Sequence, residues 1–205
     1  MTGDLVVLVS CLNCRSAVEG IVAQHHKLRI RPVRPMIYVH SQHDPGCVND
    51  PVSILRSQQN LFRHALVVCD HEGSGHETTS AMAVEAQIES QLSSAGWAGR
   101  VAAVVIEPEL EAWVWSDSPH VATALGWSAL TPTMYEWLES QNMLPPGRAK
   151  PERPKETAES VMQHCGKRRT SALFARLAEK VSFTRCQDRA FTKLCDTLRV
   201  WFPIS

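Results

Sequence analysis

Apolar runs and helically spaced apolar positions alternate through the first 118 residues. "LVVLVSC" (5 to 11) is continuously apolar and β-branched, which predicts a strand, and "NCRSAVEGIVAQHH" carries helical spacing at Ala17, Val18, Ile21 and Val22. "KLRIRPVRPMIYVH" (27 to 40) predicts an extended segment whose prolines suit a sheet edge or a bulge. After "HDPGCVNDP", read as a loop, a helix is expected over 51 to 63, with Asp50 as N-cap and Pro51 in the first helical position. "ALVVCD" (65 to 70) predicts a buried strand. A helix over 77 to 95 follows, built on Ala81, Val84, Ile88 and Leu92 and ending at Gly96. "RVAAVVI" (100 to 106) is a further apolar strand, and "PELEAWVWSD" predicts a helix opened by Pro108. Strands that are apolar on both faces and alternate with helices imply an α/β fold, a mostly parallel sheet flanked by helices.

From about residue 119 the pattern changes. Helices are expected at 131 to 140, 155 to 165, 170 to 181 and 187 to 201, with no convincing strand between them and a proline-rich, basic connector at 143 to 155. The expected organisation is an α/β core over 1–118 and a C-terminal helical subdomain, or appendage, over 119–205.

The totals narrow the function classes. In 205 residues, 21 Lys and Arg balance 21 Asp and Glu, so no overall field draws in nucleic acid or an anionic membrane, and any polyanion site is a local patch. No apolar run approaches the roughly 20 residues of a spanning helix, and the first residues lack the charged start and long apolar stretch of an export signal. A cytoplasmic location is the expectation. Seven scattered cysteines then favour free thiols over a disulfide framework.

The strongest chemical signal is "VVCDHEGSGHE". Ligands of parallel sheets bind beyond the carboxyl ends of the strands, where Asp70 falls. Residues two apart in an extended chain project to one side, so Asp70 and Glu72 can offer hard oxygen ligands to one Mg²⁺ or Mn²⁺. The next strand empties into Glu107, Glu109 and Glu111, of which Glu111, beside Ala112 and Trp113, is the one expected to face inward. A metal bridging such carboxylates and a phosphate polarises the phosphoryl group and orients a water. The competing readings are that Asp70 caps a turn with Glu72 solvated, and that Glu109 and Glu111 complement a helix N-terminus.

The order of elements, "VVCDHE", "VVIEPELEAWVWSD" and the late "SFTRCQDRAFTKLCDTLRVWF" resemble a family of small Toprim-like proteins of prokaryotic phage-defence loci. That family is related to OLD-type nucleases and RloB-type proteins, and the resemblance extends to the Toprim-like component of a methylation-associated defence system. It spans nearly the whole chain and is most specific at 108–113. It implies a Toprim-like fold, Mg²⁺ or Mn²⁺ as cofactor, phosphoryl transfer on DNA or RNA, and partners among other defence proteins. Asp70 and Glu72 match the family's metal-binding acidic pair. The family's first-strand glutamate, a general acid/base, has no counterpart: Ser10, Cys11, Leu12, Asn13 and Cys14 stand there, and Glu19 lies too far into the helix. Metal binding survives that loss more readily than proton transfer. A degenerate scaffold or sensing module that binds other defence proteins is therefore the alternative function.

Cys11 and Cys14 form a Cys-x-x-Cys at a strand-to-helix turn, readable as a redox pair, half of a zinc site, or plain buried thiols. His71 and His76 flank the acidic pair, where each can ligate Mn²⁺, shuttle a proton, or do neither. Two basic clusters are candidate phosphate contacts or simply solvated surface: Arg29, Arg31 and Arg34, with Lys27, and then Lys167, Arg168 and Arg169. Trp113 and Trp115 fall on opposite helix faces, so core packing competes with a contact to a partner or to a second copy in a homodimer.

Overall fold

A computed structural model describes residues 3–115, 118–128, 130–148, 150–168, 170–180, 183, 186 and 188–204. β1 (Gly3–Val9) leads into α1 (Leu12–Ala23) and a short α2 (His25–Leu28), and β2 covers only Met36–Val39. The chain continues through α3 (His43–Asn49), α4 (Pro51–Leu55) and a 3₁₀ turn at Arg56–Gln58 to β3 (Phe62–Asp70). α5 (Ala81–Leu92), a π turn (Ser93–Trp97), β4 (Val101–Ile106) and a 3₁₀ turn (Leu110–Trp113) complete the α/β part. Then come α6 (Pro119–Leu125), α7 (Met134–Ser140), α8 (Pro154–His164), α9 (Ala172–Lys180) and α10 (Arg189–Trp201).

The strands form one all-parallel sheet in the order β2-β1-β3-β4. This α/β arrangement is consistent with a Toprim-like fold. Strand alternation divides the core in two. Val6, Leu8, Ala65, Val67, Ala103 and Val105 face α3, α4 and α5, while Leu5, Val7, Val9, Leu66, Val68 and Val104 face α1 and the C-terminal helices. The C-terminal helices are one layer of that second core: Leu173, Leu177, Leu194, Leu198 and Phe202 are buried in the same cluster as β1 and α1. Among the described residues, no helix is long and apolar enough to cross a membrane.

The exposed edge of β4 is closed by side chains. Glu89 and Glu85 accept from the Ala103 and Val105 N–H groups, both at 2.9 Å, and Arg189 donates to the Val105 carbonyl at 2.7 Å. A strand edge satisfied in this way cannot template another strand.

Several boundaries differ from the sequence expectation. "HDPGCVND" holds α3 rather than a loop, because Cys47 and Val48 are fully buried on the sheet although the residues before them read as a turn. The expected extended segment at 27 to 40 begins instead as α2, closed by Arg29 in a left-handed conformation. The helix expected over 51 to 63 stops at Leu55, and β3 begins at Phe62, level with Gly3 of β1. α5 starts at Ala81 because Ser80, not residue 77, supplies the cap, its hydroxyl accepting from Ala83 N–H at 3.3 Å. Pro108 does not open a helix: Glu109 is extended (φ −158°) and only a 3₁₀ turn follows. α6 was not expected, although Ser118 and Gly126 bracket it in the way caps should.

Candidate functional site at the strand ends

Because all four strands run parallel, their carboxyl ends converge on one rim. In the β1–β3 register Val9 pairs with Val68, which brings Cys11 and Asp70, each two residues further on, to the same level. The turn after β3 is tied to the chain after β4, His71 N–H donating to Ile106 O at 2.8 Å and Glu72 N–H to Pro108 O at 2.9 Å. α3 enters from the β2 side, where Asp44 Oδ1 accepts the Asp70 N–H at 2.8 Å.

Asp70 is the centre of this rim. Its Oδ1 is buried and has no hydrogen-bond partner. Burial pushes its carboxyl well above the usual carboxylate range, and the charges of Asp44, Glu111, Cys11 and Glu109 push it further. Glu111 is 3% exposed, inward as the sequence suggested, and Glu109 is 5% exposed. Glu109 is already neutralised in part: Lys155 reaches it with its backbone N–H at 3.2 Å and with Nζ at 3.3 Å. Burial still leaves the Glu109 carboxyl raised.

Glu72 is exposed, and its charge acts on Glu109. The alternation argument stops where β3 stops, at Asp70, because residues 71–75 form a turn. The rim thus gathers Asp70, Glu111 and Asp44, and leaves Glu72 outside. His71 and His76 are held elsewhere, their Nε2 atoms bonding Thr79 O at 2.8 Å and Asn49 Oδ1 at 3.0 Å. Asp44 is the residue that sequence reasoning passed over. Its signal was an acid two residues before the buried pair Gly46 and Cys47, in the first turn of α3.

The Cys-x-x-Cys is built into the same rim. Cys11 is the N-cap of α1, and its Sγ accepts the Cys14 N–H at 3.4 Å. Cys14 is fully buried, with Ser10 Oγ 3.5 Å from its Sγ. A hydrogen bond from the Cys14 side chain, helped by the Cys14 and Asn13 amides, brings the Cys11 thiol down to about 6. Cys14 is pushed well up, by its bond to Cys11 and by burial.

Would the rim take a metal ion? Among the described residues, no three His, Cys, Asp or Glu side chains stand as a ready metal-holding group. A zinc site at Cys11 and Cys14 has no further ligands there. Mg²⁺ asks for less: it keeps several waters and uses one or two carboxylates together with a substrate phosphate. The orphaned Oδ1 of Asp70, in a surround of negative charge, fits that demand with Glu111 beside it.

The basic clusters divide. Arg31 is taken up by a bidentate pair with Asp4, 2.8 Å for both bonds, and lies over the Phe202 ring. Lys27 closes the end of α9 through the Ala178 and Glu179 carbonyls. Arg29 and Arg34 are exposed. Lys167 and Arg168 are exposed too, and with Arg176, Thr123 and Thr170 they line a surface pocket between α6, α8 and α9. Arg169 lies outside the described residues. Trp115 is core, its Nε1 donating to Pro154 O at 2.9 Å, and Trp113 Nε1 donates to Asp188 at 3.0 Å.

In comparisons with protein-family models, curated proteins and solved structures, nothing matches the chain.

Proposed function

We propose that the chain is a Toprim-like component of a prokaryotic antiviral defence system, whose strand-end carboxylates take up Mg²⁺ or Mn²⁺ to act on a phosphodiester of DNA or RNA. The observation that carries this reading is the buried, partnerless Oδ1 of Asp70 among Asp44, Glu111 and Glu109. A buried carboxylate in that position is satisfied by a proton or by a cation. The antiviral setting rests on the resemblance in "VVCDHE" and Pro108–Trp113.

In this reading Asp70 and Glu111 hold the ion, which supplies Lewis-acid polarisation of a phosphoryl oxygen when bound. Asp44 holds the Asp70 backbone in place through its 2.8 Å bond and adds negative charge. Lys155 keeps Glu109 paired, so that it does not compete for the cation. Lys167, Arg168 and Arg176 offer a second place for phosphate contact.

A second reading is favoured by one observation: Cys11 stands at the end of β1 where the family's general acid/base would be. A scaffold or sensing module that binds other defence proteins needs no such group. Calorimetric Mn²⁺ titration of the wild type and of Asp70→Asn separates the two. Saturable binding that Asp70→Asn abolishes supports the first reading. Failure of the wild type to bind overturns it, and association with partners that survives Asp70→Asn then supports the second.

A further inference from the structure

We propose that Cys11 and Cys14 are a reversible dithiol/disulfide pair that exchanges with an external disulfide, a redox site carried on the same rim as the carboxylates. Three features of the geometry lead there. The two cysteines sit three residues apart across the first turn of α1, where side chains come within about 5–6 Å. A disulfide needs its Cβ atoms about 3.5–4.5 Å apart, so the bond closes as Cys11, the extended N-cap residue outside the helix, shifts towards Cys14. Cys11 Sγ already turns over the start of α1, accepting the Cys14 N–H at 3.4 Å, with the Cys14 side chain within hydrogen-bonding reach of it.

The second feature is unequal access. Cys11 is partly exposed, next to Leu12 at 64% exposure, whereas Cys14 is fully buried. An incoming disulfide therefore meets Cys11 first, and Cys14 is kept for the second step. Cys47 and Cys69, the other cysteines on this part of the fold, are both fully buried.

The third is the local field. The amide groups that open α1 favour a negative sulfur at Cys11. The charge of Asp70, at the same strand ends, opposes ionisation of Cys14, so the inner thiol stays protonated while Cys11 carries the reactive sulfur.

The exchange balances as follows. The Cys11 thiolate attacks one sulfur of an external disulfide, forming a mixed disulfide and releasing one thiolate. Cys14 gives its proton to solvent and attacks Cys11 Sγ, which forms the Cys11–Cys14 bond and releases the second thiolate. One S–S bond is broken outside and one is formed in the chain, with two electrons passing to the external disulfide.

The test is to equilibrate the full chain in metal-free buffer with mixtures of reduced and oxidised glutathione, then quench, alkylate and map the cysteines by mass spectrometry. The expected result is a Cys11–Cys14 disulfide that forms with oxidised glutathione and reopens with reduced glutathione. In Cys14→Ser, a glutathione adduct accumulates on Cys11. In the native protein Cys11 is alkylated at least roughly tenfold faster than Cys47. The proposal is overturned if both thiols survive an excess of oxidised glutathione, or if folded Cys14→Ser forms no adduct at Cys11. Should Cys14→Ser fail to fold, the wild-type mapping decides alone. Loss of Mn²⁺ binding in Asp70→Asn leaves this outcome untouched, so the two sites are tested separately.

Discussion

Asp44 Oδ1 accepts the backbone N–H of Asp70 at 2.8 Å, which fastens the head of α3 to the end of β3 and sets a second carboxylate beside the first. The bond stabilises the backbone, but the Asp44 charge opposes charge on the half-buried Asp70 side chain, whose Oδ1 is buried and which also feels Glu111. The folded carboxyl therefore titrates above its unfolded value of about 3.9. Charging it costs the fold, and that cost is absent below about pH 4 and grows as the pH rises towards the folded value.

Asp70→Asn removes the charge and keeps the shape. In metal-free buffer at pH 8 the variant is expected to be more stable than the wild type by about 1 kcal/mol, or roughly 2–4 °C in Tm for a chain of this size. The gain shrinks as the pH is lowered towards 4. Excess Mn²⁺ raises the wild-type Tm and leaves the variant where it was. Thermal melts at several pH values check this, and a variant less stable than the wild type at pH 8 contradicts the electrostatic account of the rim.

The Cys11 thiol, held at about 6, gives a second pH signature. The rate of iodoacetamide modification at Cys11 should titrate with a midpoint near that value, while buried Cys47 and Cys69 stay slow. Since the largest cause is the hydrogen bond from the Cys14 side chain, Cys14→Ala should move the midpoint up by about one unit towards the ordinary thiol near 8.5. The linkage sign is opposite to that of Asp70. The folded thiol is depressed, so its contribution to stability is full above about pH 8.5 and gone below about pH 6. A midpoint that stays near 8.5 in the wild type would falsify the description of this helix N-terminus.

How far was this legible beforehand? The strands were, because unbroken apolar runs such as "LVVLVSC" leave few alternatives in an α/β chain. Cys11, Asp70 and Glu111 were also legible, Cys11 two residues beyond β1, Asp70 as the last residue of β3 and Glu111 in the turn after β4. Glu72 was misplaced by extending strand alternation one step into a turn. α3 and Asp44 were hidden because "HDPG" reads as a turn and the helix is held by the buried run Gly46, Cys47 and Val48 rather than by its own periodicity. The partner of Glu109, Lys155, lies 46 residues away, and that of Arg31, Asp4, lies 27 away. No local pattern reports such pairs, so the sequence leaves Arg31 as either a phosphate contact or solvated surface, and its pairing with Asp4 shows only in the fold.

The β4 edge depends on one buried acid. Glu85, 3% exposed, accepts from the Val105 N–H and pairs with both Arg189 and Lys193 at 3.0 Å. Glu85→Ala leaves the Val105 N–H without its acceptor and takes the shared carboxylate from two cations, which keep only Glu89 (Lys193) and Val105 O with Glu107 (Arg189), and is expected to cost about 2–3 kcal/mol. Arg189→Ala leaves Lys193 in place and should cost less, about 1–2 kcal/mol, because the arginine keeps contact with solvent. Urea titrations with constant slope check the order. If Arg189→Ala is the more damaging of the two, the edge is held by the guanidinium rather than by the carboxylate.

Gly20 tests the joint between α1 and the C-terminal helices. A Cβ at this position would lie 2.8 Å from the Ala175 Cα and 3.2 Å from the Ala178 Cβ, so the obstacle is the backbone of α9 and not a side chain that can swing away. In an exposed helix Gly→Ala gains about 1 kcal/mol. Here overpacking, at about 1–3 kcal/mol, outweighs that gain, and Gly20→Ala should destabilise by about 1–2 kcal/mol. Two elements can yield to the clash. α1 is anchored at its start by β1 and the Cys11 cap, whereas α9 rests mainly on α1 and α6, so α9 is the element expected to shift. Cys11 alkylation in folded Gly20→Ala should then keep its wild-type rate while the melting temperature falls. A changed rate means that α1 itself pivots and that the redox rim and the C-terminal layer are mechanically coupled. A gain in stability means that the two helices do not approach this closely.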